Sequence, residues 1–399
     1  MKLGTSSLVV AAFVGPGTVL TCATAGVDFG YSLGWVLLFA TAATFVLQSF
    51  TAGTGILAGK GLGEAMREAT HRPATRVVVF GLVVLGLWIG TAAFETGNLV
   101  GAAAGLETVF DGQIGRGWLI GGLALVAGLV LLLNLKALTQ VLAGLVAVMS
   151  VLFVATMLLA PVDWSAALRG LLTPSLPGGS LVKVIALIGT TVVTYNLFLH
   201  ASAAKEYWAG EAPKRAWRRE LTGMAVFLPA GGVISLAILM AGATLARADA
   251  AVGSVAELAP LLEPVAGGAA RLLFGLGLFA AGVTSAVTAP LAAAAGIREI
   301  FGWPDDPRHW RYRAVWLSVL LTGLVFGLLG RNPLEVIIAA QAANGLLLPF
   351  IAGFMLYLTA RQKALTLPRW YVGIGVLVVV VCAGLGARTL WWVWTQLGF

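Results

Sequence analysis

Most of this chain is apolar, so the polar side chains set inside its apolar runs are the places where chemistry can occur. Glu95, in GTAAFETGNLVG, is an acid within such a run. A buried carboxylate can take up and release protons near neutral pH, which makes Glu95 a candidate proton relay with Asn98 one turn on to hold it. The bland alternative is a hydrogen bond from protonated Glu95 to a neighbouring helix. Gln341 and Asn344, one turn apart in AAQAANGLLLPF, offer uncharged carbonyl oxygens, a common way to bind a cation in a low-dielectric cavity. Interhelical hydrogen bonds would use the same groups. Thr190 and Asn196 flank a polar interruption, GTTVVTYN, in another apolar run. Carbonyls unwound there suit a cation, and the same residues can also cap a broken helix. His200, one turn beyond Asn196, is a second candidate relay or a satisfied bundle histidine.

The first apolar run carries the same kind of break. Gly15-Pro16-Gly17 interrupts it, and Cys22 and Asp28 follow. Backbone freed inside a bilayer is tolerated only where protein or a water-filled cavity satisfies it, so a broken helix points to a solute path. A Cys22 thiolate would suit a soft metal, whereas a neutral thiol is a small hydrophobe. The Asp28 carboxylate closes the segment as a candidate ligand, a cap for the next span or an interfacial charge.

These residues need elements that can hold them. Of the 399 residues, 59% are hydrophobic and 11% charged, with 51 glycines, which fits close helix–helix contact in lipid. Apolar runs long enough to cross a hydrocarbon core recur throughout. They predict about eleven spans, near 6–27, 33–58, 76–105, 117–134, 137–160, 181–203, 221–246, 269–299, 313–330, 333–359 and 370–396. Most Lys and Arg fall in alternate connectors, including Lys60, Arg67, Lys205, Arg218, Arg308 and Arg311. That bias orients the N-terminus inside and the C-terminus outside, and it accounts for the net charge of +8 without nucleic acid. Residues 1–25 mimic a signal peptide, but the Gly-Pro-Gly break and the immediate continuation into further spans argue against cleavage. Cys22 and Cys382 lie in apolar segments and suggest no disulfide framework. Tryptophans near span ends read as interface anchors.

Several stretches together resemble the Nramp family of divalent-metal transporters. Gly15-Pro16-Gly17 sits at the family's first-span position, and AGVDFGYSLGW (25–35) is similar to its entry into the second span. GILAGKGLGEAMRE (55–68), YNLFLHAS (195–202), the stretch 261–293 and AAQAANGLLLPF (339–350) resemble its later motifs in the same order. The departures are specific. The family's first-span Asp-Pro-Gly-Asn is missing, with about ten residues expected to be lost around it. The sixth-span Met-Pro-His-Asn reads Val193-Thr194-Tyr195-Asn196, so the soft thioether that favours transition metals is gone. The resemblance implies that Gln341 keeps the family's tenth-span Gln and that Glu95 matches its third-span Glu, linked to proton movement.

The expectation is an all-α polytopic membrane protein of about eleven transmembrane helices with a leucine-transporter-like inverted repeat. It forms one domain, 1–399, with half-repeats of about 6–160 and 181–359 and an extra span at 370–396. The expected function is secondary-active transport of a divalent cation, Mn/Fe-like or Mg, across the cytoplasmic membrane by alternating access, with proton coupling as a further possibility. The alternative on the same fold is a small organic solute such as an amino acid, suggested by the lost Asp and Met. No cofactor, no enzymatic activity and no nucleic-acid partner are expected. The polar intramembrane residues are too few and scattered for a nucleophile–base pair or a metal triad. A sensor would need a soluble output domain, and saturable counterflow would separate a carrier from a channel.

Overall fold

A computed structural model describes residue 5 and residues 15–70, 72–133, 136–246, 252–330, 332–361 and 368–396. Among these residues every regular element is helical. In chain order they are α1 (Pro16–Phe29), α2 (Gly34–Leu57), α3 (Leu62–Ala69), α4 (Pro73–Val109), α5 (Arg116–Leu133), α6 (Lys136–Leu159) and α7 (Trp164–Leu172). The second half comprises α8 (Leu181–Thr191), α9 (Thr194–Tyr207), α10 (Pro213–Ala246), α11 (Ala270–Phe301), α12 (Trp310–Leu329), α13 (Pro333–Arg361) and α14 (Arg369–Gln396). Short helical turns over 256–269 lead into α11.

Ten segments are long and apolar enough to cross a membrane, counting α8 with α9 as one. The remaining expected span is the first run, of which 16–29 is described as α1 and residues 6–14 lie outside the described residues. Their boundaries shift where polar residues continue a helix beyond the apolar stretch. Helix α4 extends to 73–109 and α10 begins at Pro213 rather than near 221. The short α7 was not anticipated; Asp163 caps it by accepting from the backbone N–H groups of Ser165 and Ala166.

The anticipated sixth-span interruption is present, and the described part of the first span begins at Gly15-Pro16-Gly17. Helix α1 starts at Pro16, whose missing N–H costs nothing in a first turn, with Gly15 extended at φ −101°, ψ −179°. The sixth span divides at Val192 and Val193, whose ψ values of 84° and 125° leave the helical region before α9 begins.

The packing is reciprocal between halves. Helix α1 meets α10 so closely that a Cβ at Gly26 would lie 2.0 Å from the Leu239 carbonyl oxygen. Helix α9 meets α2 in the same manner, where a Cβ at Gly55 would lie 2.3 Å from the Ala201 carbonyl oxygen. The broken first helix of each half thus leans on the second helix of the other half. Small residues permit these approaches, as expected where helices associate in lipid.

Candidate functional site

The start of α1 faces the break between α8 and α9. The Thr18 hydroxyl, two residues into α1, is 2.8 Å from the Thr190 hydroxyl at the end of α8. Pro16, Gly17 and Thr18 form the first turn of α1, with Gly15 extended before them.

Breaking a helix strands backbone carbonyls that would otherwise bond four residues on. Asn344 on α13 collects them here. Its side-chain N–H groups donate to the carbonyls of Gly189 and Val192, and its Oδ1 accepts from the Thr194 hydroxyl at 3.0 Å. Thr44 on α2 adds a bond to the Thr191 carbonyl at 3.3 Å. Through these contacts Asn344 spans the break, with its Oδ1 turned to Thr194.

Gln341, one turn earlier on α13, is fully buried and stands differently. Both its Oε1 and Nε2 lack a hydrogen-bond partner among the described residues. Its side chain lies against Gly17, where a Cβ would come within 2.1 Å of Nε2, so only glycine leaves it this space. Across the break, a Cβ at Gly15 would lie 3.0 Å from the Ser285 hydroxyl on α11 and 3.9 Å from the Asn98 amide oxygen on α4. Five helices (α1, α4, α8, α11 and α13) therefore bring polar groups to one point.

Further unpartnered atoms belong to the neighbouring residues. The Asn196 Oδ1, the Tyr195 hydroxyl and the Glu95 Oε1 are buried and unpaired among the described residues. Tyr195 packs edge-on to Phe94 with ring centres 5.6 Å apart. Asn98 donates to the other Glu95 oxygen at 3.3 Å, as the sequence suggested. An orphaned buried polar group costs about 1–3 kcal/mol, and such a set calls for an occupant, an ion or the water around it.

Two candidates lie away from this centre. Asp28 is near the far end of α1, about 15 Å along the axis from Thr18 at 1.5 Å per residue. Its carboxylate is half exposed and pairs with Lys183 of α8 at 3.0 Å, which ties α1 to α8. Cys22 is a free thiol one turn beyond Thr18, fully buried within the apolar core.

His200 also departs from the centre. Its Nε2 donates to Glu220 at 3.1 Å, and both side chains are wholly buried. Sequence reasoning passed over Glu220 by placing the seventh span after it. It also passed over Thr18 and Ser285, because hydroxyl residues in apolar helices usually bond back to their own backbone and carry no distinguishing signal.

Among the described residues no group of three or more His, Cys, Asp or Glu side chains could hold a metal. The donors at the crossing are amide, hydroxyl and backbone oxygens, together with one nearby carboxyl. That chemistry fits a hard cation or its hydration shell better than a soft one.

A bundle of apolar helices crossing at a shared polar centre, with its sixth span divided there, defines a membrane transporter of the leucine-transporter fold. The chain belongs to the Nramp family: the family model described as "Natural resistance-associated macrophage protein-like" matches residues 6–392. It is 27% identical to the divalent metal cation transporter MntH of Klebsiella pneumoniae, over 96% of this chain and 92% of that protein. The fold is similar to that of the Eremococcus coleocola manganese transporter, with a TM-score of 0.73 at 19% identity, covering 97% of this chain and 85% of that one. It is also similar to MhsT in complex with L-phenylalanine, with a TM-score of 0.60 at 15% identity, over 96% and 98% of the two chains. The chain is an integral membrane transporter, and members of its family are not enzymes.

Proposed function

We propose that this protein carries a divalent metal cation, Mn/Fe-like or Mg, across the cytoplasmic membrane by alternating access, with its N-terminus inside. The observation that carries the reading is Gln341, fully buried with both polar atoms unpartnered, at the point where two broken helices are joined through Thr18 and Thr190. Gln341, Asn196 and the Thr190 region would replace part of the ion's water, and Asn344 would hold the break. Gly15, Pro16 and Gly17 supply the space. The half-repeats at about 6–160 and 181–359 would move against each other around this centre, with 370–396 as an added span. Proton coupling through Glu95 is part of the proposal.

Transport in proteoliposomes tests it. Mn²⁺ influx, followed by Mg²⁺ influx, is measured for the intact protein, Gln341→Ala and Asn196→Ala. The expected outcome is saturable influx that both variants lose. Influx of neither ion from folded, inserted protein, together with saturable uptake of an amino acid, would transfer the site to an organic solute.

A further inference from the structure

The molecule contains a second buried polar centre, separate from the crossing of the broken helices. Glu220, two turns into α10, is fully buried and surrounded by donors. Trp208 Nε1 donates to it at 2.6 Å and His200 Nε2 at 3.1 Å. The backbone N–H and hydroxyl of Thr5 donate at 3.1 and 2.9 Å. On its other side, His200 Nδ1 lies 3.4 Å from the Thr51 hydroxyl of α2.

The position of these donors matters more than their number. His200 is one turn from Asn196 on the same half-helix, and Trp208 is the residue that ends it. Helix α9 has only 14 residues and begins at a break, so no preceding helical turn steadies it. A short half-helix holds its orientation through tertiary contacts rather than through its own ladder. A buried carboxylate that receives several N–H and O–H bonds is a strong fixed point, because removing one member leaves the others unpaired in low dielectric.

We propose that Glu220 is a positioning residue for transport, anchoring α9, and with it Asn196, to α10 through His200 and Trp208. The inference rests on the metal-carrier reading for what Asn196 contacts, but not for the anchoring itself. On this assignment His200 is a structural donor to Glu220 before it is a proton carrier.

Hydrogen–deuterium exchange on the purified full-length protein in nanodiscs, with and without Mn²⁺, tests the anchoring. The variants are Glu220→Ala, Trp208→Phe, which removes one donor and keeps an aromatic ring, and His200→Gln, which keeps an N–H donor. Glu220→Ala is expected to speed amide exchange over 194–207 by about tenfold or more, the effect of losing a hydrogen bond to a buried carboxyl. Trp208→Phe should give a smaller change in the same segment, and His200→Gln should remain near wild type. Exchange over 333–350 of α13 should stay unchanged. In the Mn²⁺ influx assay, Glu220→Ala should raise the half-saturating concentration, because fewer molecules hold the binding geometry at any moment.

Unchanged exchange over 194–207 in both Glu220→Ala and Trp208→Phe would overturn the proposal. So would a uniform rise across all helices, which would mean general loosening of the bundle. If the wild-type protein carries no metal, the functional reading fails while the exchange pattern still decides the anchoring.

Discussion

Gly17 shows how a residue with no side chain can define a site. It faces the end of Gln341 so closely that any Cβ must push the amide aside. Because the displaced atoms are the tip of a flexible side chain, Gly17→Ala should leave the fold intact, and alanine's better helix propensity even favours α1. The expected result is a half-saturating Mn²⁺ concentration raised about tenfold, the worth of one good ligand bond, with a thermal midpoint close to wild type. An unchanged half-saturation would mean that Gln341 does not touch the ion. At this scale the sequence was readable where a side chain was out of place: Gln341, Asn196 and Glu95 are polar in apolar runs and all proved buried. It was unreadable where the clue was ordinary. Thr18 and Ser285 look like any helix hydroxyl, and nothing in the sequence pairs Asp28 with Lys183.

Among the elements, the sixth span sets the energetic problem and α13 answers it. Dividing a helix at Val192 and Val193 exposes carbonyls that lipid cannot satisfy. Asn344 spans the gap with bonds to Gly189, Val192 and Thr194. Asn344→Ala leaves those carbonyls without their donor, an expected loss of about 2 kcal/mol. Thermal unfolding in detergent should show it as a lowered midpoint, with Mn²⁺ restoring less of the difference than it adds to wild type. A midpoint equal to wild type would mean that the break is satisfied in some other way. Hydropathy located the spans because lipid imposes a length on every crossing helix. The sixth-span break was legible too, since a Thr-Thr…Asn run is a poor continuation of an apolar helix. The identity of the residue that satisfies a break was not legible, because Asn344 lies more than 150 residues from Gly189 and Val192 in the chain. Nor was α7, whose nine residues are too few to produce a span signal.

At the scale of the whole molecule the question is charge. A divalent ion entering the crossing would meet amide, hydroxyl and carbonyl dipoles, with no acidic side chain in the described break itself. Two uncompensated charges in a low-dielectric centre are costly, and dipoles offset only part of that cost. Glu95 is the buried carboxyl beside the centre: Asn98 bonds one of its oxygens while the Asn98 amide oxygen approaches Gly15, and its second oxygen is unpartnered. A proton leaving Glu95 as the ion arrives would supply negative charge when it is needed and return the site to neutrality when the ion departs. Metal uptake would then move protons. Glu95→Gln keeps the shape and the bond from Asn98 but has no proton to exchange. In vesicles loaded with a pH-sensitive dye, wild type should couple Mn²⁺ entry to a proton signal and change rate with external pH. Glu95→Gln should transport more slowly, with little proton signal and a flattened pH profile. A Glu95→Gln variant that keeps the full pH dependence would place the compensating group elsewhere, and the His200–Glu220 pair on α9 and α10 would be the next to examine.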